Sequence, residues 1–402
     1  MIKMKKDFAG NILSGAFSVT GLCSLLAIFS VYYFEGFLYV TYATFFFIFL
    51  MIYAMKPSII GNMEKKTAWL WFFAWIIVFS LVVMHIHLPR IRYVLYSLYG
   101  FCFLLLNTEL QNKIVRLFAI LLSMLFGISL IEYFIYNLAG IGIVVGSVLR
   151  PSNVNNDIYC DHLLFNIIYQ DLFIPRFCSL TEEPGLVGTL CGFMLFYTSK
   201  DKSLRLPFVA FVICGMFSLS LAYFILLVIF LIVQITSVKK AVLYIFIILV
   251  AFGSVLYYNY DLFEIAIVDR ITEKDDVSEL DNRTDYYFDQ YFEKSVKSGN
   301  IFWGEGMLPQ NVITSGAKRF FYIYGIAGFL VVFFVYMSIY KKKAGGKLAF
   351  ADLMFLIAFW ASFYQRDTIV ESYTFLAFTG VALNGGEARA RYKINQTSKY
   401  EI

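Results

Sequence analysis

The chain reads as an all-α, polytopic integral membrane protein: one transmembrane domain over residues 1–402, with about twelve crossings and two long outer loops. Three observations lead there. First, 60% of residues are hydrophobic and only 15% charged, with a mean hydropathy of +0.71, which leaves too little polar surface to clothe a soluble globule of this size. Second, apolar runs of spanning length recur at 11–31, 37–55, 67–84, 91–107, 115–137, 184–199, 241–258, 319–340, 348–364 and 368–385. Third, most of the 33 basic residues sit in short clusters between alternate runs, where they set topology. A net charge of +5 spread in this way makes no single basic face, so a nucleic-acid partner is excluded.

The N-terminal Met1–Lys6 has the charge of a signal-peptide n-region. The stretch from Asn11 to Val31 is nevertheless long enough to span and lacks a small-residue cleavage site, so a retained first helix is expected. The run from Leu206 to Ser237 is too long for one perpendicular crossing and too short for two. Lys200, Lys202 and Arg205 precede it and Lys239 and Lys240 follow it, which puts both of its ends on the cytoplasmic side. Two short helices turning near Ser218–Ser220 satisfy these constraints. The same rule, applied to Lys3, Lys5, Lys6, Lys341–Lys343, Arg389 and Arg391, places both termini in the cytoplasm.

Two outer segments, 138–181 and 260–318, are too long to be mere connections. The second carries a helix signal at about 284–298. Thr284 or Asp285 can act as N-cap, Tyr287, Phe288, Tyr291, Phe292 and Val296 recur at three-and-four spacing, and Gly299 is a stop. Its aromatic stripe, opposite Asp289, Glu293, Lys294 and Lys297, suits either a helix lying at the membrane interface or packing against neighbours. Of the six cysteines, only Cys160 and Cys178 share an outer loop; a disulfide there is the less favoured alternative to two thiols. Glu132, within the fifth crossing, is as readily a charge that simply faces an internal cavity as a functional group.

Charge at a membrane boundary is expensive to hold, and three such clusters, each with an arginine, lie on the outer side. The first is Arg176, Ser179, Glu182, Glu183 and Pro184, with Glu183 at the N-cap and Pro184 at the first position of the sixth helix. The second is Asn282, Arg283, Thr284 and Asp285, just before the loop helix. Lys318 and Arg319 form the third, with Tyr364, Gln365, Arg366, Asp367 and Glu371 across a short loop. Guanidinium groups are planar forked donors that match phosphate oxygens, so several of them on one face suggest a diphosphate.

The segment RFCSLTEEPGLVGTLCGF resembles the arginine, serine, glutamate-proline signature of the O-antigen polymerase and ligase superfamily, with Arg176, Ser179, Glu183 and Pro184 at matching positions. The segment NRTDYYFDQYFEKSVKSGNIFWGEGM is similar to that family's arginine, aromatic helix and G-x-G turn, supplied by Arg283, Tyr286–Phe292, Gly304 and Gly306. A helix with spaced glycines, Gly325 and Gly328, follows. The resemblance covers about residues 170–340. Ligases of the family carry a histidine in the large outer loop, and none lies between Asp261 and Phe321, so the polymerase branch fits better.

What the resemblance implies is a glycosyltransferase of the cytoplasmic (inner) membrane that joins oligosaccharide repeat units carried on a polyprenyl diphosphate such as undecaprenyl diphosphate, building O-antigen lipopolysaccharide or capsule. Besides the lipid bilayer and this lipid-linked substrate, a chain-length regulator is a further candidate partner. Such chemistry needs cations for the departing diphosphate and a carboxylate for the acceptor hydroxyl. The expected catalytic residues are therefore Arg176 and Arg283 as clamps and Glu183 as base or as orienter of Arg176. Ser179, Glu182, Lys318, Arg319, Gln365 and Arg366 are expected to bind substrate. No outer D-x-D motif is present, so no metal and no cofactor is expected. A lipid-linked oligosaccharide flippase and a ligase are the alternatives.

Overall fold

The structure, a computed structural model, describes residues 2–29, 43–53, 62–85, 87, 91–150, 158–169, 176–181, 183–199, 201–234, 286–309, 312, 314, 316–343 and 350–367. It is mostly helical. The helices are α1 (Ile2–Phe29), α2 (Ala43–Tyr53), α3 (Asn62–Met84), α4 (Ile91–Leu105), α5 (Thr108–Ala139), α6 (Pro184–Thr198), α7 (Arg205–Phe217), α8 (Leu221–Gln234), α9 (Tyr286–Ser298), α10 (Ala317–Lys343) and α11 (Phe350–Gln365). Among the described residues, Lys65–Met84, Thr108–Ala139 and Ala317–Lys341 are long and apolar enough to cross a membrane. The expected runs at 241–258 and 368–385 lie outside the described residues.

On α5 the exposed side chains Met124, Ile128, Ile131 and Ile135 fall at four, three and four spacing, an unbroken apolar stripe. That is the face a helix turns toward lipid tails. α5 begins earlier than its apolar run, because the Asn107 side chain caps it by accepting the Leu110 N–H at 3.0 Å, and it closes at Gly140 in the left-handed region, φ 66°.

At the centre lies α6, in which every residue from Leu186 to Phe196 is buried. A helix apolar all round has to be surrounded by protein. Phe193 meets Phe355 of α11 at 5.4 Å between ring centroids, and Phe196 meets Phe230 of α8 at the same 5.4 Å. One side of α6 is stripped of side chains at Gly185, Gly188 and Gly192. A methyl group at Gly188 would sit 2.5 Å from the Ser220 β-carbon, and one at Gly192 would sit 2.7 Å from that of Leu226. The missing β-carbons let α7 and α8 approach.

The run from 206 to 237 breaks where expected: α7 ends at Phe217, Leu219 adopts φ 45°, and α8 starts at Leu221. Tyr223 folds back over α7 to donate its hydroxyl to the Val212 carbonyl at 3.0 Å.

The expectation of an all-α chain is corrected in the first long loop. Val144–Arg150, Ile158–Leu163 and Ile167–Tyr169 form a three-stranded antiparallel sheet in the order β1-β2-β3. The β-branched run from Ile141 to Val148, flanked and interrupted by glycines, suits a pleated surface better than a helix. Asp161 on β2 fastens the sheet to α5, accepting from Ser147 Oγ at 2.5 Å and from the Tyr136 hydroxyl at 3.1 Å. The Cys178 thiol donates to the Arg176 carbonyl at 3.3 Å, and the side chain of Cys160, its alternative disulfide partner, lies outside what the structure describes.

In the second long loop, α9 occupies the expected position and stops at Gly299, φ 79°; Thr284 and Asp285 lie outside the described residues. Its Phe288 is fully buried against Tyr322 of α10, at 5.3 Å between centroids, while Tyr286 and Tyr287 are exposed. The turn Gly304–Gly306 docks on α10 where that helix is interrupted at Gly325 (φ 72°, ψ 173°). Glu305 N–H donates to the Tyr322 carbonyl at 2.6 Å and Gly306 N–H to the Ile323 carbonyl at 3.1 Å, so the groups freed by the break are satisfied from outside the helix. The two backbones approach so closely that a β-carbon on Gly304 would lie 2.5 Å from the Ile323 oxygen.

The basic clusters collect at the other end of the bundle. Lys65 and Lys66 lie in the first turns of α3, Lys113 and Arg116 at the start of α5, Lys202 between α6 and α7, Arg205 at the first position of α7, and Lys341 at the end of α10. There Arg116 Nη2 donates to Ser203 Oγ at 2.9 Å, and Asp201 caps the short turn that follows it, its Oδ1 accepting from the Ser203 N–H at 2.8 Å and hydroxyl at 2.6 Å. Partial burial alone would raise the Asp201 carboxyl, but the Ser203 hydroxyl and amide, with Arg116 behind them, bring it below its ordinary value.

Gly304→Ala and Gly325→Ala are each expected to destabilise the fold by roughly 2–4 kcal/mol, combining a left-handed β-carbon with backbone overlap. Gly299→Ala, with φ 79° but open space around it, should cost only about 1 kcal/mol. Thermal unfolding of the detergent-solubilised protein ranks the three; equal melting temperatures would refute the docked turn.

Candidate functional site

The C-terminal ends of α5, α7 and α11 and the N-terminal ends of α6, α8 and α10 meet at the end opposite the basic clusters. Arg176 enters this region from the segment before α6. Its Nε donates to the Ser218 carbonyl at 3.3 Å and its Nη2 to the Leu219 carbonyl at 2.9 Å, while Phe177 N–H donates to the Phe217 carbonyl at 3.1 Å. The last carbonyls of a helix have no partner within it, and here an arginine and a backbone amide supply them. The expected diphosphate clamp thus turns at least two of its donors to the α7–α8 turn.

Ser179, also φ 53°, is fully buried. Its hydroxyl lies 2.8 Å from Ser129 Oγ on α5, and its carbonyl accepts from Ile167 N–H at 2.9 Å. It is therefore part of the wall beneath the site and not of its surface. Glu132 makes specific contacts with the first outer loop. Its Oε2 accepts from Phe165 N–H at 2.8 Å and from Asn166 Nδ2 at 3.0 Å, holding the β2–β3 turn against α5. Nothing local in the sequence around Glu132 signals this partner, which lies more than thirty residues downstream.

Glu183 is the N-cap of α6 (φ −131°, ψ 128°) with Pro184 next, as the sequence predicts, but its carboxylate makes no capping bond to its own helix. It reaches Arg366 of α11, whose Nη2 lies 2.5 Å from Oε2. The Arg366 side chain is only 8% exposed and the Glu183 side chain 53%. Arg366 Nε is buried and has no hydrogen-bond partner among the described residues. The guanidinium can lie against the first turn of α6 because residue 185 is glycine: a β-carbon there would sit 2.5 Å from Nη2.

The neighbouring Asp367, 3% exposed, points the other way. Its Oδ2 is 3.2 Å from Arg319 Nε at the head of α10, and its Oδ1 accepts from Gly316 N–H at 3.3 Å. Consecutive residues at the end of α11 thereby tie α6 and α10 together. Lys318 pairs with Asp289 of α9 at 3.1 Å, both side chains about one-third exposed, a contact of modest strength. Gln365 ends α11 with its backbone carbonyl against Gly316. Glu182 and Arg283 lie outside the described residues.

The structure brings together two of the three clusters expected from sequence, the first and the third. Asp367 belongs to the third cluster, yet sequence gave no means of pairing it with Arg319, or Arg366 with Glu183, because both pairings depend on how α11 packs. Chemically, the arrangement offers two half-buried to buried guanidinium groups, each neutralised by one carboxylate, beside the positive end of α6. Comparison with protein-family models, with characterised proteins and with solved structures gave no match.

Arg176→Lys replaces a forked donor by a point charge and is expected to lose one of the two carbonyl contacts, about 1–3 kcal/mol for a charged hydrogen bond. Faster hydrogen exchange confined to residues 214–224 is the expected readout. Unchanged exchange there would show that the turn does not depend on Arg176.

Proposed function

We propose that this protein is a polysaccharide polymerase of the cytoplasmic membrane. It joins polyprenyl-diphosphate-linked oligosaccharide repeat units on the outer face, giving O-antigen or capsule, without a metal or cofactor. In this reading the chain crosses the bilayer about twelve times with both termini in the cytoplasm. The end of the bundle bearing Glu183, Arg319, Arg366 and Asp367 then faces outward, since the lysine clusters mark the opposite end as cytoplasmic.

The observation that carries the proposal is the Glu183–Arg366 pair. It links the glutamate-proline of the signature segment to an arginine 183 residues further on, at the positive end of α6. That is the equipment needed for a departing diphosphate and a hydroxyl nucleophile: fixed cations where negative charge grows, and a carboxylate within reach. Arg176 braces the adjoining turn, and Arg283 is assigned to the same anion from the second loop.

A flippase instead needs ionisable groups along a cavity at mid-membrane. Among the described residues the buried charged side chains are Asp161, Asp352, Arg366 and Asp367. Asp161 is in the sheet, Asp352 in the first turn of α11 at the basic end, and the other two at the site, so none supports a central translocation path. A ligase differs only in acceptor, and the missing loop histidine speaks against it.

Deleting the gene should leave single repeat units on the cell surface where the parent shows a ladder on a gel. Loss of surface units, with lipid-linked units trapped inside, would point to a flippase. Arg283→Ala and Arg366→Ala should each lower chain extension by about 10²- to 10³-fold, the usual effect of removing one donor to developing charge, with the protein still in the membrane. Normal ladders from both variants would overturn the assignment.

A further inference from the structure

Arg366 carries a permanent charge in a nearly closed pocket, and the only group described on its Nη2 is a carboxylate that is itself half in solvent. Burial of a guanidinium is tolerable only if an anion is fixed against it. Three features make that anion exchangeable. Glu183 makes no capping bond to α6, so the start of the helix does not depend on where its carboxylate lies. Gly185 has no β-carbon, so the guanidinium lies against the first turn of α6, the end of the helix where amides are left without partners of their own. Finally, Arg366 Nε is buried and lacks an acceptor, so the seat has donor capacity that the carboxylate does not use.

We propose that the Glu183 carboxylate is a resident stand-in for a phosphate group: the diphosphate of the lipid-linked substrate displaces it from Arg366, and the displaced carboxylate becomes the base for the acceptor hydroxyl. This rests on the polymerase reading and adds to it an order of events. With the seat empty, Glu183 is neutralised by Arg366 and is a poor base. Once phosphate oxygens take the guanidinium fork, Glu183 is released into the half-exposed space beside the same helix end. The acceptor oxygen then forms its bond to the anomeric carbon of the donor while the anomeric carbon–oxygen bond to the diphosphate breaks. The bonding pair leaves with the diphosphate, held by Arg366, and the acceptor proton passes to Glu183 and from there to water. The exchange makes deprotonation conditional on donor binding, so an acceptor alone is not activated.

The test separates binding from turnover. Inorganic diphosphate is titrated onto the purified full-length protein in nanodiscs, and polyprenyl diphosphate is titrated in a parallel arm to distinguish a site for the free anion from one that needs the lipid. Glu183→Gln keeps the side-chain shape and removes the competing charge. It should bind diphosphate about tenfold more tightly than the parent, the scale of one charged contact, while chain extension is lost. Glu183→Asp, with a shorter reach to Arg366, should fall between the two in binding. Arg366→Lys should weaken binding in the parent and abolish the gain from Glu183→Gln. A merely structural carboxylate predicts the reverse: loss of Glu183 would leave binding unchanged or weaker, and either result overturns the exchange. The surface-glycan ladder decides the polymerase reading separately. A lost ladder without tightening sinks only the exchange, and tightening with an intact ladder sinks only the polymerase.

Discussion

A guanidinium held in a low-dielectric interior demands an anion, and Arg366, 8% exposed, imposes that demand on the whole outer end of the bundle. Gly185 follows from it, because any side chain there would occupy the space of Nη2. So does the direction of Glu183, which leaves its own helix uncapped to meet the charge. Asp367, next along the chain, does the same for Arg319 and thereby fixes the head of α10 relative to α11. Two ion pairs made by adjacent residues orient three helix ends that no continuous stretch of chain connects.

Beneath these charges the packing is set by what α6 lacks. With Gly188 against Ser220 and Gly192 against Leu226, the central helix accepts a broken partner at close range. Arg176 then closes the break by supplying donors to the Ser218 and Leu219 carbonyls. Around the second loop the same logic operates through backbone alone. The interruption of α10 at Gly325 exposes carbonyls, and the Gly304–Gly306 turn provides the N–H groups. Each irregularity in a helix is matched by a donor from another part of the chain.

How much of this was legible in the sequence depended on the range of the determinant. The α7–α8 break could be read because run length and flanking lysines are local quantities. The position of α9, its stop at Gly299 and the Glu183–Pro184 start of α6 were legible for the same reason. The sheet of residues 144–169 was missed: its strands are short and glycine-interrupted, and their pairing is stabilised by Asp161 reaching Ser147 and Tyr136. The break at Gly325 was missed too, since an apolar run with two glycines reads as a continuous helix until the docked turn is known. For the site, residue types were recognisable but partners were not. Arg176 was expected beside Glu183 on grounds of proximity in sequence, whereas Arg366, contributed by the last described helix, is the arginine seen on that carboxylate.

The pair α7 and α8 carries a consequence for how such a chain is made. α7, with 13 residues, spans about 20 Å, short of a hydrocarbon layer of roughly 30 Å. A helix of that length is too short to cross a bilayer as an independent unit, and the carbonyls at its end are bare until Arg176 and Phe177 supply donors. In the proposed membrane topology, integration and tertiary assembly of this hairpin then coincide: it becomes lodged only after α6 and the segment leading into it have been laid down, which is the order in which the ribosome delivers them.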